Sequence, residues 1–301
     1  MNETVEVVAG VDGSASSVNA AVWAAEEARN RGWRLRLVHA YSMPPSAFPG
    51  FLAAAAPLRD KARERGRLAL ETAEQEVKSA VGGGAALDVI VDLFEGGTVA
   101  TLVRYSENAG LLVVGSRGLG GFAELATGSV AIALASHAHC PVAVVRGRKR
   151  HAKPAESGPV VVGVDGSTTS TAAVAFAARE AGLRETGLVL VHTWTHTPPN
   201  PPDSASGEEK DVAARVKAEL EADVALCERR FPGVRVEVVA ERGKPVRALL
   251  ARSETARLLV VGSRGRGGFA GMLLGSTSQS MVTHARCPVV VVPDEVTDIR
   301  E

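Results

Sequence analysis

Two aspartates and two glycine-rich stretches carry the chemistry that this chain could perform. Asp12 stands in Val8-Ala9-Gly10-Val11-Asp12-Gly13-Ser14, and Asp165 in Val161-Val162-Gly163-Val164-Asp165-Gly166-Ser167. The glycine-rich stretches are Gly115-Ser116-Arg117-Gly118-Leu119-Gly120-Gly121-Phe122, continuing to Gly128-Ser129, and Gly262-Ser263-Arg264-Gly265-Arg266-Gly267-Gly268-Phe269, continuing to Gly275-Ser276. Each has the spacing Gly-x2-Gly-x9-Gly-Ser. Glycine tolerates positive φ and lets backbone amides approach a ligand with no β-carbon in the way. The closing Gly-Ser falls where a helix begins, and a helix N-terminus offers free N–H groups and a positive dipole end to a phosphate. The hydroxyls of Ser129 and Ser276 add one donor each. Such a stretch is a phosphate cradle.

Other chemistries fit these residues less well. Asp12 and Asp165 could merely cap the following helix, but Ser14 and Ser167 already stand as cap candidates. Gly118-x-Gly120-x-x-Ala123 and Gly265-x-Gly267-x-x-Ala270 match a loose dinucleotide fingerprint. That fingerprint belongs after the first strand of its unit, with an acidic residue on the next strand; here it follows the fourth. Gly243-Lys244-Pro245 lacks both the preceding glycine and the following hydroxyl of a phosphate-loop lysine. His137-Ala138-His139-Cys140 hints at a metal, yet its second copy has Arg286 where His139 stands. Helix-end and core packing explains that segment better, and no metal ligands or catalytic residues are assigned. Cys227 reads as core. Arg117 and Arg264 either reach phosphate or pair with acidic neighbours.

The elements that must position these groups come twice. Asp165 repeats Asp12 at 165 − 12 = 153 positions, and Gly262 repeats Gly115 at 262 − 115 = 147. His284-Ala285-Arg286-Cys287-Pro288-Val289 repeats the segment from His137 to Val142 at the same 147. A period this long means duplicated domains rather than a solenoid. The spacing predicts a first domain over 1–146, a polar, basic linker over 147–158 and a second domain over 159–301.

Within the first copy, strands are expected over 5–11, 35–40, 87–93, 111–115 and 141–146, and helices over 15–30, 58–80, 98–108 and 128–138. Strand and helix alternate, and the strands are nearly continuous valine and leucine, which suits a parallel sheet covered on both faces. The expected fold is therefore α/β: two tandem doubly wound parallel-sheet domains of five strands each. Ligands of such sheets bind beyond the carboxyl ends of the strands, where the strand order reverses.

Composition limits the function classes. The 34 basic and 34 acidic residues cancel, which gives no global reason to expect binding to nucleic acid or to an anionic membrane. Three cysteines without a Cys-x-x-Cys pair suit a reducing compartment. The acidic opening and short apolar runs point away from a secretory leader or a membrane span, so a cytoplasmic location is expected.

The doubled glycine motif, the strand ending in Asp-Gly-Ser and the His-Ala-x-Cys-Pro segment together resemble the universal stress protein family, in its tandem, ATP-binding branch. The resemblance covers nearly the whole chain. It implies an adenine nucleotide alpha hydrolase-like fold and a regulatory stress-response protein with one ATP site per domain. It places Gly10, Val11 and Asp12, and Gly163, Val164 and Asp165, against adenine and ribose. The end of strand two, His39-Ala40 and His192-Thr193, would contact adenine. Ribose and phosphates would fall to Gly115, Gly118, Gly128, Ser129 and Val130, and to Gly262, Gly265, Gly275, Ser276 and Thr277, with Arg117 and Arg264 kept as candidate nucleotide-binding residues beside them.

The resemblance further implies Mg2+ beside the phosphates, pairing of the two domains through their last strands, and at most weak ATP hydrolysis. It leaves room for a homodimer and for a protein partner that it does not identify. The rival class is an enzyme that hydrolyses ATP or transfers its adenylyl group, but no general base or phosphate-clamping lysine recurs in both copies. The aligned pairs Leu119/Arg266, Glu124/Gly271 and Val130/Thr277 predict that the C-terminal site is the tighter one.

Overall fold

The computed structural model describes residues 5–42, 51–82, 87–118, 128–146, 158–195, 212, 214–265 and 273–294. They fall into two compact units, one carrying the described residues up to 146 and the other those from 158. The linker segment 147–157 lies outside the described residues.

The N-terminal unit runs β1 (Glu6–Gly10), α1 (Ala15–Arg31), β2 (Arg34–Tyr41), α2 (Phe51–Val81), β3 (Val89–Glu95), α3 (Thr98–Ser106), β4 (Leu111–Gly115), α4 (Ser129–His137) and β5 (Val142–Val145). Its strands lie in the order β3-β2-β1-β4-β5, every pair parallel. Val7 pairs with Leu35 on one side and Leu111 on the other, so β1 is the central strand. Val7, Val8 and Ala9 have no exposed surface. Successive strand residues face opposite sides of a sheet, so β1 is covered on both.

Helix α1 shows why the first βα unit is tight. Ser14 caps it by accepting a hydrogen bond from Ser17 N at 3.1 Å. Gly32 ends it in the left-handed region at φ 67°, where only glycine is unstrained. Ala20, Ala21, Ala24, Ala25 and Ala28 form its buried face. Such short side chains let the helix lie close on the sheet.

The C-terminal unit repeats the plan with β6 (Val160–Gly163), α5 (Thr168–Leu183), β7 (Leu188–Trp194), α6 (Glu221–Arg230), β8 (Val236–Arg242), α7 (Pro245–Arg252), β9 (Leu258–Gly262), α8 (Ser276–His284) and β10 (Val289–Val292). Its parallel strand order is β8-β7-β6-β9-β10. Each unit thus has the expected doubly wound α/β fold of five parallel strands. The order reverses between β1 and β4, and again between β6 and β9.

Some boundaries differ from the sequence expectation. The second helix begins at Phe51 rather than 58 and carries Pro57 inside it. Proline forfeits one backbone donor, but the surrounding run Ala53-Ala54-Ala55-Ala56 has high helix propensity and offsets that loss. The third strand is shifted two residues on, to Val89–Glu95, because its pairing with β2 continues to Tyr41 opposite Glu95. Among the described residues no helix is long and apolar enough to cross a membrane.

Candidate functional site

The loops after β1 and β4 meet where the strand order of the N-terminal unit reverses. Asp12 Oδ1 accepts a hydrogen bond from Ser14 N at 2.9 Å, while Asp12 N donates to Ser17 Oγ at 3.2 Å. Gly13 between them sits at φ 88°. Ser14 provides the helix cap, so the Asp12 carboxylate is held by a local turn instead and faces the second loop. A β-carbon placed on Gly118 would lie 2.5 Å from Asp12 Oδ2. Ser14 Oγ donates to Arg117 O at 3.3 Å, and Arg117 N donates to Ser16 Oγ at 3.4 Å, which ties the loops together.

The glycine loop closes on itself. Ser116 N donates to Val145 O at 2.9 Å, and Gly128 N donates to Ser116 O at 2.8 Å. The loop therefore leaves and returns at one point. Gly128 is the N-cap of α4 and supplies no side-chain bond to its first amides. Those amides, starting at Ser129 and Val130, open toward the loop with the positive end of the helix dipole. Segment 119–127 lies outside the described residues.

The C-terminal unit reproduces this geometry. Asp165 Oδ1 accepts from Ser167 N at 3.0 Å, and Ser167 Oγ caps α5 by accepting from Ser170 N at 3.2 Å. Gly275 N donates to Ser263 O at 2.8 Å, and Ser263 N to Val292 O at 2.7 Å. Gly265 abuts the Asp165 carboxylate even more closely than Gly118 abuts Asp12.

Here the walls enclose a cavity of about 430 Å³. Gly163, Val164, Asp165, Thr193 and Gly262 line it, and so do Arg264, Gly265, Gly275, Ser276 and Thr277. Apart from His192, the site residues expected in the second copy thus line one cavity. Sequence reasoning missed Val191, Pro245, Leu249 and Ser278, which also line it. Val191 lies two residues before Thr193 and shares its face of β7, a signal that strand alternation could have supplied. Pro245 and Leu249 are one helical turn apart at the start of α7.

The strand-two histidines are not in this wall. Thr193 lines the cavity and His192 does not, since adjacent strand residues face opposite sides. His39 Nδ1 instead lies 2.7 Å from Val11 O, and a β-carbon on Gly66 of α2 would meet its ring at 2.6 Å. Ala40 takes the Thr193 position in the N-terminal unit, with its carbonyl accepting from Thr98 Oγ1 at 3.4 Å. His137 Nδ1 lies 2.8 Å from Ala133 O, and Cys140 is buried.

Arg264 resolves as an ion pair with Asp294, just past the end of β10. Asp294 also accepts from Thr169 Oγ1 in the first turn of α5 and from Ser263 Oγ at 3.3 Å. Burial alone would raise the Asp294 carboxyl. The hydrogen bonds from Thr169, Arg264 and Ser263, with the Arg264 charge, outweigh it and hold the group below the usual carboxylate range. Of the positions behind the expected asymmetry, Thr277 lines the cavity, whereas Leu119, Glu124, Arg266 and Gly271 lie outside the described residues.

Each unit is therefore a doubly wound α/β domain whose switch point sets a turn-held carboxylate against a closed glycine loop and an open helix N-terminus. The chain belongs to the universal stress protein family, whose profile matches residues 6–146 and again 157–293. A universal stress protein of Mycobacterium tuberculosis strain H37Rv is 35% identical over 297 residues, covering 98% of this chain and 99% of that one. One of Mycolicibacterium smegmatis is 36% identical over 286 residues, covering 95% and 96%. In fold the chain is similar to a crystal structure of a universal stress protein from Archaeoglobus fulgidus, with a TM-score of 0.65 at 21% identity, covering 96% of this chain and 98% of that one.

Proposed function

We propose that each unit binds one adenine nucleotide, ATP in the first instance, and that the protein responds to nucleotide state as a cytoplasmic regulator in stress. The observation that carries this reading is the C-terminal cavity of about 430 Å³, on which apolar strand ends, the Asp165 carboxylate and the N-terminus of α8 converge. Val164, Val191 and Leu249 suit the flat apolar face of a base. Asp165 suits ribose hydroxyls, and the Gly275-Ser276-Thr277 amides suit phosphate. The N-terminal unit carries the same turn, loop and helix start, which supports a second site.

Mg2+ fits this reading as an ion carried by the phosphates. Among the described residues no group of three or more His, Cys, Asp or Glu side chains could hold a metal, while Asp165, Ser276 and Thr277 offer the hard oxygen donors that Mg2+ prefers. When bound, the ion would neutralise phosphate charge. Pairing of the units through their last strands belongs to the same proposal, since Val142–Val145 and Val289–Val292 are wholly apolar and an unpaired edge of that kind invites association. Independent tumbling of the two units, read from amide relaxation, would contradict it.

The test is to purify the protein gently, denature it and identify any released nucleotide, then titrate the emptied protein with ATP. An adenine nucleotide in the supernatant, or saturable ATP uptake, is expected. A preparation with neither removes the reading. Steady-state release of more than trace phosphate or pyrophosphate would favour an ATP-consuming enzyme instead.

A further inference from the structure

We propose that Asp294 sets the phosphate selectivity of the C-terminal site by holding Arg264, so that a triphosphate is penalised relative to a monophosphate. The inference rests on the adenine-nucleotide reading of this cavity. Among the described residues that line it, Arg264 is the one cation and Asp165 the one anion. An arginine there would ordinarily favour the longer, more highly charged phosphate chain. Asp294 removes that advantage, because its Oδ2 accepts from Arg264 Nη2. With Asp294 counted beside the lining residues Asp165 and Arg264, these three groups carry a formal charge of −1. A polyphosphate must then either displace Asp294 from the guanidinium or sit beside a carboxylate.

The contact is built into the fold of this unit. Asp294 bridges two chain segments: Arg264 and Ser263 at the base of the glycine loop, and Thr169 in the first turn of α5. Thr169 is fixed in turn by Gly262, where a β-carbon would meet Thr169 Cγ2 at 2.6 Å. The N-terminal copy is made differently. At the 147 offset, Asp294 aligns with Gly147, which has no carboxylate. Thr169 aligns with Ser16 at the 153 offset, and Ser16 Oγ accepts from the backbone of Arg117 at 3.4 Å. At this aligned position the carboxylate is thus particular to the second copy.

Removing the charge while keeping the hydrogen-bond acceptor isolates this effect. Asp294→Asn retains an oxygen for Thr169 and Ser263, and Asp294→Gly copies the residue of the N-terminal unit. Both are made in full-length protein carrying Gly128→Asp, so that the C-terminal site is read alone, and titrated calorimetrically with ATP, AMP and inorganic tripolyphosphate. Each variant should bind ATP and tripolyphosphate about tenfold tighter, with AMP changed much less, as expected for freeing one half-exposed charged donor. The gain should vanish when Arg264→Gln is added. Equal gains for AMP and ATP, no gain, or a gain that survives Arg264→Gln would overturn the proposal. Tripolyphosphate responding while neither nucleotide binds any of these proteins would uphold the role of Asp294 and reject the adenine-nucleotide reading. Binding of none of the three by any protein would reject both.

Discussion

Gly118 and Asp12 touch across the strand switch point: a β-carbon on the glycine would lie 2.5 Å from the aspartate Oδ2. Carbon and oxygen cannot approach that closely, so a side chain at 118 must shift the carboxylate or the loop that faces it. Gly118→Ala should therefore weaken nucleotide binding at the N-terminal site by roughly tenfold or more while lowering the melting temperature little, because the residue lies outside the core. Calorimetric titration with ATP checks it. Unchanged affinity would mean that the Asp12 position does not matter to the ligand.

Gly128 and Gly275 invite the opposite kind of substitution. A β-carbon at 128 would find its nearest neighbour, Ser116 O, at 3.6 Å, and at 275 Ser263 O at 3.4 Å, both close to ordinary contacts. Their φ values of −72° and −68° suit any residue. Aspartate is also a good helix N-cap. Gly128→Asp and Gly275→Asp should then keep or raise thermal stability while abolishing ATP binding at their own site. The new carboxylate would occupy the amides that a phosphate needs and repel it. Retained binding in the double variant, with stability intact, would take the glycine loop out of the mechanism.

Much of this was legible in the sequence because the features are local and repeated. Gly-x2-Gly-x9-Gly-Ser and the valine runs fix the loop and the strands through backbone geometry, and a second copy guards against chance. Asp294 was not legible. Its partners Thr169 and Arg264 are 125 and 30 residues away, and only the closed fold brings them together. The face of each strand was also missed: Thr193 and His192 are equivalent neighbours in a sequence, but the pleat sends only Thr193 to the cavity. Likewise, Glu27 and Arg31 have the spacing of an ordinary surface pair, and nothing in that spacing announces their burial.

Cys227 gives a prediction with a defined pH window. Burial, aided by the charges of Asp223 and Glu228, pushes its thiol up from 9.0 to about 11. The native protein therefore keeps the proton between those values while the unfolded chain has lost it. Stability from this group is complete below about pH 9 and is lost as the pH rises toward 11. At pH 8, Cys227 should resist iodoacetamide until denaturant is added, and Cys227→Ala should flatten the alkaline fall in stability. Rapid alkylation of the folded protein at Cys227 would sink this account.

The last prediction concerns a charge pair that both units keep inside. Glu27 and Arg31 of α1 have side chains 5% and 2% exposed, and Glu180 and Arg184 at the equivalent turn of α5 are 1% and 4% exposed. Arg31 also lies 5.6 Å from the centre of the Trp33 ring, which favours the cation. Removing two ions from water is costly, and their mutual attraction offsets that cost only while both remain. Glu27→Gln or Glu180→Gln leaves an arginine buried without its carboxylate. Each should destabilise its own unit by roughly 3–5 kcal/mol, seen as an earlier transition in urea unfolding. Replacing both partners at once, as in Glu27→Leu with Arg31→Met, removes both buried charges and should recover most of that loss. The comparison separates a pair that stabilises the fold from one that is merely tolerated within it. A single variant costing less than about 1 kcal/mol, in the range of exposed pairs, would mean that water reaches these groups in solution.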